Sequence, residues 1–170
     1  MDSLQVKRFV RAITDRRRPG LAGLTAAVVA LTAGGCATAT NSLHPGRETI
    51  TTARIPAAGP ALVDEHGRTL YLFLSDSRND SSCYGACVAV WPPVLTAGKP
   101  EAEGAAAADK LSTYKREDGG TQVTYDGHPL YYYQGDTGPG DAYGQAVNQF
   151  GSEWYAVSPR GQIAEKGSGS

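Results

Sequence analysis

No long amphipathic helical period follows residue 36. The apolar positions come instead in short runs of period two, the mark of strands. In LYLFL, 70–74, Leu70, Leu72 and Leu74 fall on one face and Tyr71 and Phe73 on the other. Both faces are apolar, so this strand is expected to be buried on both sides. LYYYQ, 130–134, sets Leu130 and Tyr132 against Tyr131 and Tyr133 in the same way. Ahead of it, 121–125 reads as a strand leading into Asp126-Gly127, a strong signal for a two-residue hairpin. His66-Gly67 makes the equivalent turn upstream. Further strands are predicted at 61–64, 88–91 and 153–158. Residues 97–110, with proline, glycine and an alanine run, read as a surface loop holding at most one helical turn.

The pattern is written twice. Gly67, Leu70, Tyr71, Phe73 and Asp76 map onto Gly127, Leu130, Tyr131, Tyr133 and Asp136 at a constant offset of 60. WPPV at 91–94 is echoed by WYAV at 154–157, at an offset of 63. Two copies of a unit that cannot bury its own face pack against each other. The expected fold is therefore mainly β: a single domain at 53–164 built from two tandem copies of an antiparallel β-unit of about 60 residues, repeat 1 at 61–95 and repeat 2 at 121–161.

The ends differ in kind. Lys7, Arg8, Arg11, Arg16, Arg17 and Arg18 precede a short apolar run at 20–33. That run falls short of the roughly 20 residues a membrane span needs. A basic segment followed by a short apolar one is a secretory leader. The small residues before Cys36 resemble a bacterial lipobox, which would make 1–35 a lipoprotein signal peptide and Cys36 the acylated residue. Two or more acyl chains hold a protein firmly to a bilayer, where one binds only marginally. Residues 36–52, small and polar, read as a flexible tether, and 165–170 as a disordered tail.

Charge changes sign at the same cut. Residues 1–35 carry six Lys/Arg and two Asp/Glu; the remaining ten Lys/Arg and fifteen Asp/Glu leave the rest at −5. A mildly acidic chain without a basic stripe is not a nucleic-acid binder. Three cysteines are an odd number for an exported protein. Assigning Cys36 to lipid leaves Cys83 and Cys87 as a pair in an oxidising compartment.

Tyr71-x-Phe73-x-x-Asp76 and Tyr131-x-Tyr133-x-x-Asp136 match the Yx[FWY]xxD signature of a family of bacterial lipoproteins, also described as a secreted repeat of unknown function. Cys83-x-x-x-Cys87 running into Trp91-Pro92-Pro93, Asp118-Gly119 with Gln122-Val123, and 138–141 with Gly144-Gln145 also resemble its members. The resemblance spans about 63–161. It implies export and a repeat architecture, and brings no established reaction.

Candidate chemistry centres on two clusters. Asp76 and Asp136 each close an aromatic strand, where a carboxylate can accept backbone N–H bonds and fix a turn. The alternative makes them a pair of carboxylates binding a cation or ligand, helped by Asp80 and Asp141. The 76–80 segment lacks the glycine and distal glutamate of an EF-hand. Cys83 and Cys87, four apart, suit a local disulfide worth about 2 kcal/mol. Reduced, they could hold copper, since thiolates select Cu(I), with His66 or His128 completing the set. Tyr125, Tyr131, Tyr132 and Tyr133 read mostly as core, and exposed members could stack on glycans. No G-x-S-x-G, H-E-x-x-H or P-loop occurs. The expected protein is thus a lipid-anchored, extracytoplasmic cell-envelope module that binds or supports without catalysis and without cofactor. Its partners would be the membrane through Cys36 and an envelope protein or glycan. The alternative is a copper-binding or electron-transfer lipoprotein using Cys83, Cys87, His66 and His128.

Overall fold

The computed structural model describes residues 46–166. The expected signal peptide, Cys36, the tether up to residue 45 and the last four residues lie outside them. Among the described residues nine strands and one short helix follow in order: β1 (Thr49–Ile55), β2 (Gly59–Asp64), β3 (Tyr71–Phe73), α1 (Ala86–Val90), β4 (Glu101–Ala102), β5 (Leu111–Lys115), β6 (Thr121–Tyr125), β7 (His128–Pro129), β8 (Val147–Gln149) and β9 (Ser152–Ala156). They form three small sheets of order β2-β1-β4, β3-β9-β8 and β5-β6-β7. All pairings among these strands are antiparallel except β1 with β4. The fold is mainly β, and no described helix is long and apolar enough to cross a membrane.

The backbone repeats in space as it does in sequence. Leu70 N–H donates to Leu62 carbonyl at 3.0 Å, and Leu130 N–H to Val123 carbonyl at 3.0 Å. Leu62 N–H reaches Val157 carbonyl at 2.7 Å, and Val123 N–H reaches Val94 carbonyl at 2.8 Å. Val157 N–H returns to Leu70 at 3.0 Å, and Val94 N–H to Leu130 at 2.9 Å. In each case the tryptophan segment of one copy lies beside the aromatic segment of the other. Tyr71 and Tyr131 exchange backbone bonds at 2.9 and 3.0 Å, a pairing that is its own mirror under exchange of the copies. Neither copy completes its sheet without its neighbour.

The alternation in 70–73 divides two apolar clusters. Tyr71 and Phe73 enter one cluster with Trp91, Tyr131 and Trp154. Leu70 and Leu72 enter the other with Val94, Val123, Leu130 and Val157. Burial on both faces is therefore as expected, except at Leu74, which is 47% exposed because β3 ends at Phe73 and the chain turns.

Several expectations about elements are corrected. β1 begins at Thr49, inside the stretch read as tether, and Ile50 within it is fully buried. Its threonines are β-branched and favour strand as well as solubility. Each repeat opens with a hairpin, β1–β2 and β5–β6, so the copies start earlier than 61 and 121. Residues 88–91 are not a strand: α1 occupies most of them, and Cys87 in its first turn is tied back to Cys83. Residues 130–134 form isolated bridges, Tyr131 to Tyr71 and to Pro93, rather than a continuous strand. Pro92 and Pro93 have no N–H, so at these two residues the ladder receives a bond without returning one, as from Tyr132 N–H to the Pro92 carbonyl at 2.8 Å. The 97–110 loop contributes β4, and the backbone of Glu165, expected to be tail, packs against Gly59.

The Asp126-Gly127 turn is as predicted, with φ of 52° and 85° joining Tyr125 to His128. Gly67 takes φ 79° in the upstream turn. There Asp64 accepts backbone bonds from His66 at 2.9 Å and Arg68 at 2.8 Å.

Candidate functional site

The motif residues meet at the seam between the copies, and they meet crosswise. Tyr71 O–H donates to Asp136 Oδ2 at 2.7 Å, and Tyr131 O–H donates to Asp76 Oδ2 at 2.6 Å. Each repeat's tyrosine thus serves the other repeat's carboxylate. The remaining oxygen fixes the aspartate's own loop: Asp76 Oδ1 accepts from Ser82 N–H at 2.7 Å, and Asp136 Oδ1 from Tyr143 N–H at 2.9 Å. Such bonds to a carboxylate are among the stronger ones in proteins.

The third motif position is also exchanged. Phe73 stacks on Trp154 with centroids 4.0 Å apart, and Tyr133 packs on Trp91 at 4.3 Å. The two tryptophans stack on each other at 4.0 Å and 6°. Four rings, two from each copy, form one column across the seam. Tyr71 meets Trp91 edge-on at 5.4 Å, and Tyr131 meets Trp154 edge-on at 5.1 Å. Stacked and edge-on pairs contribute about 0.5–1.5 kcal/mol each beyond their burial.

Burial raises the Asp76 carboxyl above the ordinary range, against hydrogen bonds from Tyr131 and Ser82 that lower it. Burial likewise raises Asp136, against bonds from Tyr71 and Tyr143. Both tyrosine hydroxyls are pushed far up, first by burial and then by the neighbouring carboxylate. The proton therefore stays on tyrosine, and the pairs are hydrogen bonds rather than acid–base couples.

Around Asp76 the seam is backed by buried polar groups. Ser81 O–H donates to the Tyr131 hydroxyl oxygen at 2.6 Å, and Ser81 Oγ accepts from Arg116 Nη1 at 3.1 Å. Arg116 is buried, donates through Nη2 to the Cys83 carbonyl at 2.9 Å, and lies over the Tyr84 ring at 4.4 Å. Gln122 accepts from Arg116 and donates to the Leu130 carbonyl at 2.7 Å. Beside them Cys83 and Cys87 are joined as a disulfide.

Around Asp136 the seam opens. A cleft of about 260 Å³ is lined by Arg68, Pro92, Tyr132, Tyr133, Gln134 and Asp136. Arg68 Nε donates to Asp64 Oδ2 at 2.6 Å, and its guanidinium sits over the Tyr132 ring at 3.9 Å. Tyr132 O–H faces Glu48 Oε2 at 3.5 Å and Asp64 Oδ2 at 3.4 Å.

The other candidates divide. Asp141 turns inward on its own loop, accepting from Thr137 N–H and Gly138 N–H, each at 2.9 Å. Asp80 bridges back to Ser77 through backbone only. The disulfide leaves neither sulfur a thiolate to offer, and no group of three or more His, Cys, Asp or Glu converges among the described residues. His66 is exposed beside Asp64 and Glu65. His128 is half-buried at the start of β7, where burial lowers its pKa.

Sequence reasoning singled out the motif residues and did not foresee their crossed pairing. It also passed over Arg68, Arg116 and Gln134, and quoted Gln122 only as part of the family resemblance. One signal was available for two of these. Where the copies align, Arg68 stands opposite His128 and Gln134 opposite Leu74, so they fall among the positions at which the duplicates diverge.

Neither the curated proteins nor the solved structures contain a match to this chain. A family model described as a secreted repeat of unknown function matches twice, at 52–95 and 112–158, more than half of the 170 residues. Each match opens within the first strand of a copy and ends just beyond its tryptophan segment, so the two units that interlock at the seam are the two repeats of that model, and the chain belongs to the family of secreted repeats of unknown function.

Proposed function

We propose that this protein is a lipid-anchored module of the cell envelope, acylated at Cys36, that works by binding at the seam between its repeats and not by catalysis. The observation that carries the reading is the crossed clasp. Both motif tyrosines and both motif carboxylates satisfy one another, so the repeated signature is a device for joining the copies. A surface at the seam left for a partner is then the cleft beside Asp136, where the copies differ. A concave, largely apolar cleft with a few placed polar groups is the usual form of a binding site. The leader that ends at Cys36 supports placement at a membrane, and the Cys83–Cys87 disulfide suits an oxidising compartment.

The anchor is tested by growing cells with radiolabelled palmitate. Label should enter the wild-type protein, which should sediment with membranes, and Cys36→Ser should abolish both. Unlabelled wild-type protein recovered from the medium would overturn the anchored reading.

A further inference from the structure

We propose that the cleft beside Asp136 binds a neutral sugar ring, and that Arg68, Gln134 and Asp136 recognise its hydroxyls. This deepens the binding reading above and is independent of the lipid.

The first support is the difference between the copies. The clasp needs tyrosine, a second aromatic residue, aspartate and tryptophan, and both halves supply them. Nothing in the clasp requires Tyr132, Gln134 or Arg68, whose counterparts are Leu72, Leu74 and His128. Tyr132 and Gln134 stand in the copy whose aspartate borders the opening, and Arg68 reaches the same opening from the other copy.

The second support is a donor held ready. Arg68 is fixed through Nε on Asp64 and by its seat on Tyr132, yet none of the described residues accepts a hydrogen bond from either of its Nη atoms. Its side chain is 51% exposed. Guanidinium, carboxamide and carboxylate are all planar forks, and each can bridge two adjacent hydroxyls. Pro92 and Tyr133 provide an apolar wall for the C–H face of a ring.

Charge decides the ligand class. One guanidinium, Arg68, is surrounded by Asp64, Glu48 and Asp136, so an anion gains little here. A cation meets the guanidinium itself, while Asp136, whose two oxygens accept one bond each from Tyr71 and Tyr143, keeps a further acceptor site on each for a hydroxyl donor. A neutral polyhydroxyl ligand avoids both penalties. The volume of about 260 Å³ lies just under the roughly 300–1,000 Å³ of drug-sized sites, which suits one ring.

Three probes share a ring and differ in charge: N-acetylglucosamine, N-acetylmuramic acid and glucosamine. Full-length chain carrying Cys36→Ser is titrated with each. Binding is followed by the fluorescence of Trp91, which packs on Tyr133, and by amide shifts of 132–136. N-acetylglucosamine should bind in the millimolar range, and the two charged sugars at least fivefold more weakly. Gln134→Leu, which installs the residue of the other copy, should weaken binding at least tenfold with the melting temperature unchanged, while Leu74→Gln should leave affinity as it was. Equal or tighter binding of either charged sugar, no saturable binding of the neutral one, or an unaltered Gln134→Leu variant would each overturn the proposal. None of these outcomes bears on palmitate labelling, so the anchor stands or falls separately.

Discussion

Asp76 and Asp136 close the same seven-residue word and are both half-buried, yet one is backed by buried polar side chains and the other borders a cleft. Both accept the hydroxyl of the opposite tyrosine at nearly the same distance, 2.6 and 2.7 Å. Their surroundings differ. Behind Asp76 stand Ser81, buried Arg116, Gln122 and the disulfide; beside Asp136 stand Gln134, Arg68 and the opening. Duplication left the joint common to both halves and let the periphery diverge. One end of the seam is backed by buried polar groups and the other is accessible, each built from residues of both copies.

The most damaging way to break the comparison is to empty the ring column that both halves share. Trp154→Ala should cost about 3–5 kcal/mol, as loss of a large buried aromatic does. Urea titration would measure it. A loss under about 1 kcal/mol would mean the column does not hold the copies together.

Removing one hydroxyl at a time asks whether the two ends of the seam are unequal. Tyr131→Phe leaves the half-buried Asp76 carboxylate short of a donor beside buried Ser81 and Arg116, at about 1–3 kcal/mol. Tyr71→Phe should cost less, because water in the cleft can replace the donor at Asp136. Equal losses in the same urea assay would erase the distinction between a backed and an open end.

Cys83→Ser with Cys87→Ser tests what the disulfide adds to the backed end. Closing so short a loop restrains the unfolded chain by about 2 kcal/mol. The double variant should lose that amount and keep the crossed pairs, visible as unchanged near-ultraviolet circular dichroism. A collapse of that signal would make the disulfide a condition of the clasp.

The smallest effect expected is that of pH. Asp76 and Asp136 have pKa values raised in the fold, so they bind protons more readily folded than unfolded. Their contribution to stability is complete below the ordinary aspartate value of 3.8 and is lost as pH rises through the raised values. Asp118 and Asp141 act oppositely. Burial works against Asp118, but bonds from Gly120 and Arg116 hold it low; bonds from Thr137 and Gly138 hold Asp141 low. Their contribution is present above 3.8 and fades as pH falls through their lowered values. Melting temperatures of wild type against Asp76→Asn and Asp136→Asn, taken from pH 7.5 to 5, separate the terms. Each variant should lose part of the stabilisation that wild type gains on acidification. Variants that track wild type throughout would show that neither seam carboxylate titrates in this range.

Much of the architecture was legible in residues 70–76 and 130–136. Period two told strands from helices, and the constant offset told of two copies. Legibility failed where local composition and tertiary context pulled apart. Thr49–Ile55 looked like tether because threonine is polar; pairing with β2 made it a strand. Residues 88–91 looked like a strand because they are apolar; the Cys83–Cys87 link and the following prolines favoured a turn of helix. Arg116 gave no sign of burial, since an isolated arginine reads as surface until Ser81, Cys83 and Gln122 are seen around it.

The sequence by itself determined that two alike units exist, that each carries an aromatic strand ended by aspartate, and that a cysteine pair stands in the first. These follow from spacing and side-chain type, which are properties of short segments. Only the tertiary structure decided that the units exchange partners, so that Tyr71 answers Asp136 and Tyr131 answers Asp76. Residues 60 apart in the chain carry no local record of which of two chemically equal acceptors they will meet. That choice is made when both copies bury their rings in one column, because a tyrosine hydroxyl driven into that interior must take whichever carboxylate the packing presents.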